Sequence, residues 1–131
     1  MIEITNDVVV LDYPGTISST PRYFMWEAMR SYSLNEIRGS VTVAPLGDNI
    51  EISWFVYKKD TNTISPLTFG SVSLPGLPVG ILAIPIGQTE GKYTSIGYVF
   101  EVGDILIGDI EIVGSDFPGT NLVVQLLLQR I

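Results

Sequence analysis

The sequence predicts an all-β fold: one antiparallel β-sandwich of jelly-roll type, with about eight strands. Three observations carry this prediction. Short apolar runs rich in Val, Ile, Tyr and Phe recur along the chain. Clusters of Gly, Pro, Asn and Asp interrupt them at a spacing of about ten residues, as turns between short strands do. Within the longer runs, apolar and polar residues alternate, which is the period of a strand with one buried face. At 131 residues the chain suits one domain, read as a short N-terminal arm over 1–7 and a sandwich over 8–131.

Taken in order, Val8-Val9-Val10-Leu11 forms a first strand, halted by Tyr13-Pro14-Gly15-Thr16. Residues 22–28 give a second run. The stretch from Tyr23 to Tyr32 also has helix-forming residues, but strand is the better reading. From Leu34 to Val43, Ile37, Gly39, Val41 and Val43 fall on one face and Glu36, Arg38, Ser40 and Thr42 on the other. Ile50 to Lys58 alternates in the same way, with Trp54 in phase with Ile50, Ile52 and Val56 and so assigned to the core. Lys59-Asp60-Thr61-Asn62 then suits a hairpin turn. The stretch from Thr63 to Gly91 carries Pro66, Pro75, Pro78 and Pro85, so its strands should be short or at sheet edges. Tyr98 to Val102 is a further strand. Asp104 to Val113 is the best in the chain, with Leu106, Gly108, Ile110 and Ile112 opposite Ile105, Ile107, Asp109 and Glu111. After the turn from Gly114 to Thr120, Asn121 to Arg130 is the last strand.

Composition removes whole classes of chemistry. The chain has no cysteine and no histidine, which excludes disulfides, thiolate metal sites and imidazole acid–base catalysis. Its net charge is −7, and its seven basic residues are scattered, so nucleic acid and anionic membrane are poor partners. The acidic opening lacks the plan of a secretion signal, and no apolar run approaches the ~20 residues that span a bilayer. A soluble chain made in a cytoplasm is expected.

Acids offer the remaining chemistry. Asp109 and Glu111 lie on one strand face, about 6–7 Å apart at Cα, a spacing open to acid–base work but equally ordinary for a solvent-facing pair. Asp48, Asp104, Asp109 and Asp116 offer oxygen ligands for calcium, yet no Asp-x-Asp-x-Asp loop is present and turn chemistry explains them better. Lys58, Lys59 and Lys92 are expected to face water rather than act as buried nucleophiles. Neither a catalytic site, a metal nor a cofactor is predicted.

The last strand is unusual. Leu122, Val124, Leu126 and Leu128 fill one face, but Val123, Leu127 and Ile131 share the other with Gln125 and Gln129. A strand with one wet face should be polar there. Ile105 and Ile107 show the same excess. Together Ile105, Ile107, Val123, Gln125, Leu127 and Ile131 are the expected subunit contact. Among the aromatics, Tyr23, Trp26, Phe55 and Tyr57 are the candidates for a ligand or partner surface.

From Pro14 to Arg130 the chain resembles a jelly-roll-like module of tailed-phage virion structural proteins. The matching residues are Pro14-Gly15-Thr16, Arg22-Tyr23, Leu34 through Ala44-Pro45-Leu46-Gly47-Asp48, Gly103-Asp104-Ile105-Leu106 through Val113-Gly114-Ser115, Pro118-Gly119-Thr120-Asn121-Leu122, and Val124 to Arg130. These residues set turns and strands, so the likeness speaks first to architecture. It implies a virion component on the outer surface of capsid or tail: a capsid decoration or cement protein, or a tail-fibre or baseplate domain. Relatives of this pattern often sit inside longer chains, and the short segment before the domain favours decoration. The expected partners are sister copies in a homotrimer and a major capsid protein or other virion protein. The alternative is a carbohydrate- or receptor-binding domain, with the exposed aromatics stacking on sugar rings.

Overall fold

A computed structural model describes residues 6–68, 71–72 and 80–131. Among them lie eleven strands: β1 (Asn6–Thr16), β2 (Thr20–Glu27), β3 (Tyr32–Ser40), β4 (Ile50–Lys58), β5 (Thr63–Pro66), β6 (Ser71–Val72), β7 (Ile81–Ile84), β8 (Glu90–Thr94), β9 (Tyr98–Phe100), β10 (Ile105–Ile112) and β11 (Thr120–Arg130). They form two antiparallel sheets. The first has the order β1-β11-β3-β8-β6, with β9 also on β3; the second has the order β2-β10-β4-β5, with β7 also on β4. The two sheets pack as a jelly-roll-like sandwich, as the alternating runs predict. No helix among the described residues is long and apolar enough to cross a membrane.

The core follows from the period of two. The first sheet turns Leu122, Val124, Leu126 and Leu128 of β11 and Ile37 of β3 inward. The second supplies Leu106 and Ile110 of β10 with Ile52, Trp54 and Val56 of β4. All are buried, and each aliphatic side chain so placed stabilises the fold by about 1.5–3 kcal/mol relative to exposure. Trp54 sits where its phase put it. It lies opposite Gly108 in register, and a Cβ added at Gly108 would stand 2.6 Å from the indole ring. Phe24 pairs with Gly108 from the other side and stacks on Trp54, with ring centroids 6.0 Å apart. The glycine therefore leaves the gap that the two rings fill.

Several boundaries differ from the sequence prediction. Eleven strands replace about eight because the proline-bearing stretch and its flanks divide into short pieces, β5 to β9. Pro75 and Pro78 lie outside the described residues. Pro66 ends β5, an edge strand of the second sheet, as its missing N–H requires. β1 does not stop at Tyr13. It continues past Pro14 to Thr16, because an edge strand tolerates proline, but its register on β11 breaks between Tyr13 and Thr16. It also starts at Asn6, so Asn6 and Asp7 belong to a strand; residues 1–5 of the expected arm lie outside the described residues. β2 ends at Glu27, and a bend carries the chain into β3 at Tyr32. β3 ends at Ser40, where Val41 remains buried but Val43 turns outward, 49% exposed. The hairpin at Lys59-Asp60-Thr61-Asn62 forms as read, with Asn62 at φ 52° accepting a 2.6 Å hydrogen bond from the Tyr57 hydroxyl.

Candidate interaction surfaces

The outward residues of the second sheet line up across its strands. Met25, Ile107, Phe55 and Pro66 are register partners on β2, β10, β4 and β5, and Glu27, Ile105, Tyr57 and Ile64 form the next row. Met25 and Ile64 stand about half exposed, at 54% and 50%. Ile107, between them, is only 4% exposed. With Arg22, Phe55, Ile64 and Asp109 it lines a small hollow of about 120 Å³.

The first sheet presents a different outer face. Its rows are Val8–Leu127–Glu36, Val10–Gln125–Arg38–Lys92 and Asp12–Val123–Ser40–Glu90. Val8 and Val10 are 57% and 58% exposed, while Val123, Gln125 and Leu127 are half-buried. Toward β8 the face becomes polar: Arg38, Ser40, Glu90, Lys92 and Gln125 border a hollow of about 200 Å³, and Arg38 pairs with Glu36.

The expected subunit contact is therefore not one patch. Ile105 and Ile107 lie on the second sheet, and Val123, Gln125 and Leu127 lie on the first. Ile131 follows β11 and is 69% exposed. Ile107 needs no second chain to be covered, since Met25, Phe55 and Ile64 flank it. The aromatic set divides as well. Phe55 and Tyr57 share the second sheet's outer face. Tyr23 packs on Tyr13, with ring centroids 4.4 Å apart. Trp26 is half-buried and packs on the core beside Tyr32 and Phe100, with ring centroids 5.8 and 5.5 Å away. Sequence reasoning missed Met25, Ile64, Val8 and Val10. Val8 and Val10 were hidden inside a continuous apolar run, and Ile64 in a stretch without periodicity.

The acids have structural partners. Asp104 is 1% exposed. Its carboxylate accepts hydrogen bonds from the backbone N–H of Glu101 at 3.0 Å and of Lys59 at 3.2 Å, and from Lys58 Nζ at 3.3 Å. Burial pushes its pKa up, but the two N–H donors and the Lys58 ammonium outweigh that and hold it below the usual value. Lys58 thus does not simply face water; its ammonium also lies 5.7 Å from the Tyr98 ring centroid. Asp109 accepts a 2.6 Å bond from the backbone N–H of Arg22, a residue at φ 52°, where β2 and β10 change register. That bond gives Asp109 a structural role at an irregular strand edge. Asp7 binds Arg130 in a two-point ion pair, at 2.9 and 3.1 Å, and accepts the Tyr32 hydroxyl at 2.7 Å. These donors lower the Asp7 pKa, and the carboxylate in turn raises that of Tyr32. The cluster fastens the start of β1 to the end of β11 and the start of β3. No group of His, Cys, Asp and Glu suited to a metal occurs among the described residues.

No protein-family model matches the chain, and no curated protein matches it. Among solved structures, a chain from the capsid of Ralstonia phage GP4 has a TM-score of 0.55 at 11% identity, over 100% of this chain and 89% of that one. A chain from the capsid asymmetric unit of cyanophage Pam1 has a TM-score of 0.40 at 10% identity, over 100% of this chain and 90% of that one. The Drosophila NLP core, described for pentamer formation and histone binding, gives 0.45 at 9% identity, over 92% and 97%. At such identities the likeness is one of fold, and the GP4 chain carries it.

Proposed function

We propose that this chain is a virion structural protein, acting as a capsid decoration or cement protein. The observation that carries the proposal is the fold shared from end to end with a chain of a phage capsid, at a TM-score of 0.55. Two features of the molecule support it. The acids and the lysine considered for chemistry at Asp104, Asp109 and Lys58 are engaged in holding loops and strand edges, which favours a non-enzymatic role. The two outer faces also carry separate apolar rows suited to contact with other proteins.

The mechanism is mechanical. A rigid sandwich bridging neighbouring shell subunits adds interface burial that must be lost before the shell ruptures. A homotrimer fits a three-fold position, and a cyclic contact joins two non-equivalent patches at every boundary. The surface around Ile105 on the second sheet and that around Val123 and Leu127 on the first are two such patches. Each would meet the other on a sister copy, with the remaining surface left for a major capsid protein. The outer surface of the virion is the expected location.

Gold-labelled antibody against the chain, applied to intact particles, tests this reading. Labelled heads, and particles that rupture at lower temperature when the chain is depleted, are the expected results. Unlabelled heads with labelled tails would overturn it. That outcome, with retention of the isolated chain on host-surface glycan, would favour the receptor-binding alternative, for which the Phe55 hollow supplies an aromatic wall.

A further inference from the structure

The sheet edges differ in how they end. An edge strand exposes a row of unpaired backbone N–H and C=O groups, and folded chains blunt such edges with short strands, prolines, bulges or charges. Three of the edges here are blunted in those ways. β6 has two residues, and β5 has four and ends in Pro66. β2 begins Thr20-Pro21, passes through Arg22 at φ 52° and changes register on β10 between Gly108 and Ile110. β1 is different. It is eleven residues long, and among the described residues it pairs with β11 alone, in unbroken register from Asn6 to Tyr13. Between Asp7 and Asp12 it has no charge, proline, glycine or bulge, only Val8-Val9-Val10-Leu11.

We infer that the free edge of β1 pairs antiparallel with β1 of a second copy, across a two-fold axis at Val9, joining two first sheets into one continuous sheet. The occupant follows from the residues at the edge. A two-fold axis at Val9 sets Val8 opposite Val10 of the second copy and Val10 opposite Val8. Residues directly opposite in an antiparallel pair share a face. The half-exposed valines, 57% and 58% open, therefore meet as one four-valine cluster. Asp7 falls opposite Leu11 and Asp12 opposite Asn6, so no acid faces an acid across the seam. The paired stretch ends before Pro14. Asp7 is already neutralised by Arg130, and that ion pair anchors the strand to β11. The seam goes beyond the decoration reading and does not depend on it, because a three-fold contact through the sheet faces leaves this edge open.

Sedimentation of the full chain at micromolar concentration tests the inference. A species with an even number of copies is expected. The paired change Val8→Lys with Val10→Lys sits at exposed positions, so the fold persists, and it should weaken association at least tenfold. The chain has no cysteine, so Val9→Cys gives a second readout. Cα atoms facing across the axis fall within disulfide reach, and mild oxidation should yield a linked dimer, whereas Thr16→Cys, beyond the register break, should not. A monomer, or a trimer unmoved by the lysine pair, together with failure of Val9→Cys to link, overturns the seam; the trimer result leaves the decoration reading standing. A hexamer that falls to a trimer upholds both, and a dimer that falls to a monomer upholds the seam while removing the trimer.

Discussion

β10 and β11 are each flanked by strands on both sides, and each turns a buried apolar row into the sandwich. They part company on their outer faces. Beside Ile107 of β10 stand Met25 and Phe55, long or broad side chains, and Ile107 is 4% exposed. Beside Leu127 of β11 stand Val8, too short to cover it, and Glu36, drawn into a pair with Arg38. Leu127 stays half open. Apolar residues on both faces of a strand thus do not by themselves call for a second chain. The size of the cross-strand neighbours decides whether the outward residue is sealed within the fold.

The largest expected effect lies where the two strands agree. Leu106→Ala on β10 and Leu126→Ala on β11 should each cost about 2–5 kcal/mol in urea unfolding, since both leave cavities in the same core. A difference above about 2 kcal/mol between them would mean that the two sheets do not share one packing environment.

Next comes Asp104, which fixes the turn leading into β10 and has no counterpart before β11. Asp104→Asn should cost about 1–3 kcal/mol at neutral pH, because an amide replaces a buried acceptor of charged and backbone donors. The folded pKa lies below the usual carboxylate value. The stabilisation is therefore complete above the unfolded pKa and is lost as pH falls through the folded one. The gap between wild type and variant, followed by thermal melts across pH 2–7 on the order of one unit apart, should shrink only below about pH 4. A gap that stayed constant throughout would remove the carboxylate from the account.

The outer faces give the sharper contrast. In dilute solution Ile107→Ala should cost about 2 kcal/mol and Leu127→Ala about 1 kcal/mol or less. If oligomer contacts cover Leu127, raising the protein concentration should widen its deficit and leave that of Ile107 unchanged. Smallest of all, Val8→Thr with Val10→Thr should move the stability of the dilute chain by no more than about 0.5 kcal/mol, the usual bound for exposed positions. A larger loss would mean that β1 is covered even in the monomer.

Much of this was legible in the residues, and what was not has a physical cause. Period-two alternation placed Trp54 inward, and turn residues placed the hairpin at Asn62, because both effects are local. The split of the predicted contact set, with Ile105 and Ile107 on one sheet and Val123, Gln125 and Leu127 on the other, was not legible. Face parity along a strand says nothing about which sheet that strand joins. The setting of Trp26 was hidden for a related reason: its position on β2 was readable, but its packing beside Tyr32 and Phe100 depends on strands distant in sequence.

By itself the sequence determined an all-β sandwich, the positions of its main turns, most of the inward rows of β4, β10 and β11, and the absence of imidazole and thiol chemistry. Those features rest on side-chain type and short-range spacing, which the chain carries wherever it goes. Tertiary structure decided the rest: that Ile107 is sealed while Leu127 is half open, that Asp104 is a buried acceptor, and that β1 is, among the described residues, the long unblunted edge. Each of these depends on which strands become neighbours, a choice made by the packing of the whole core rather than by any one segment.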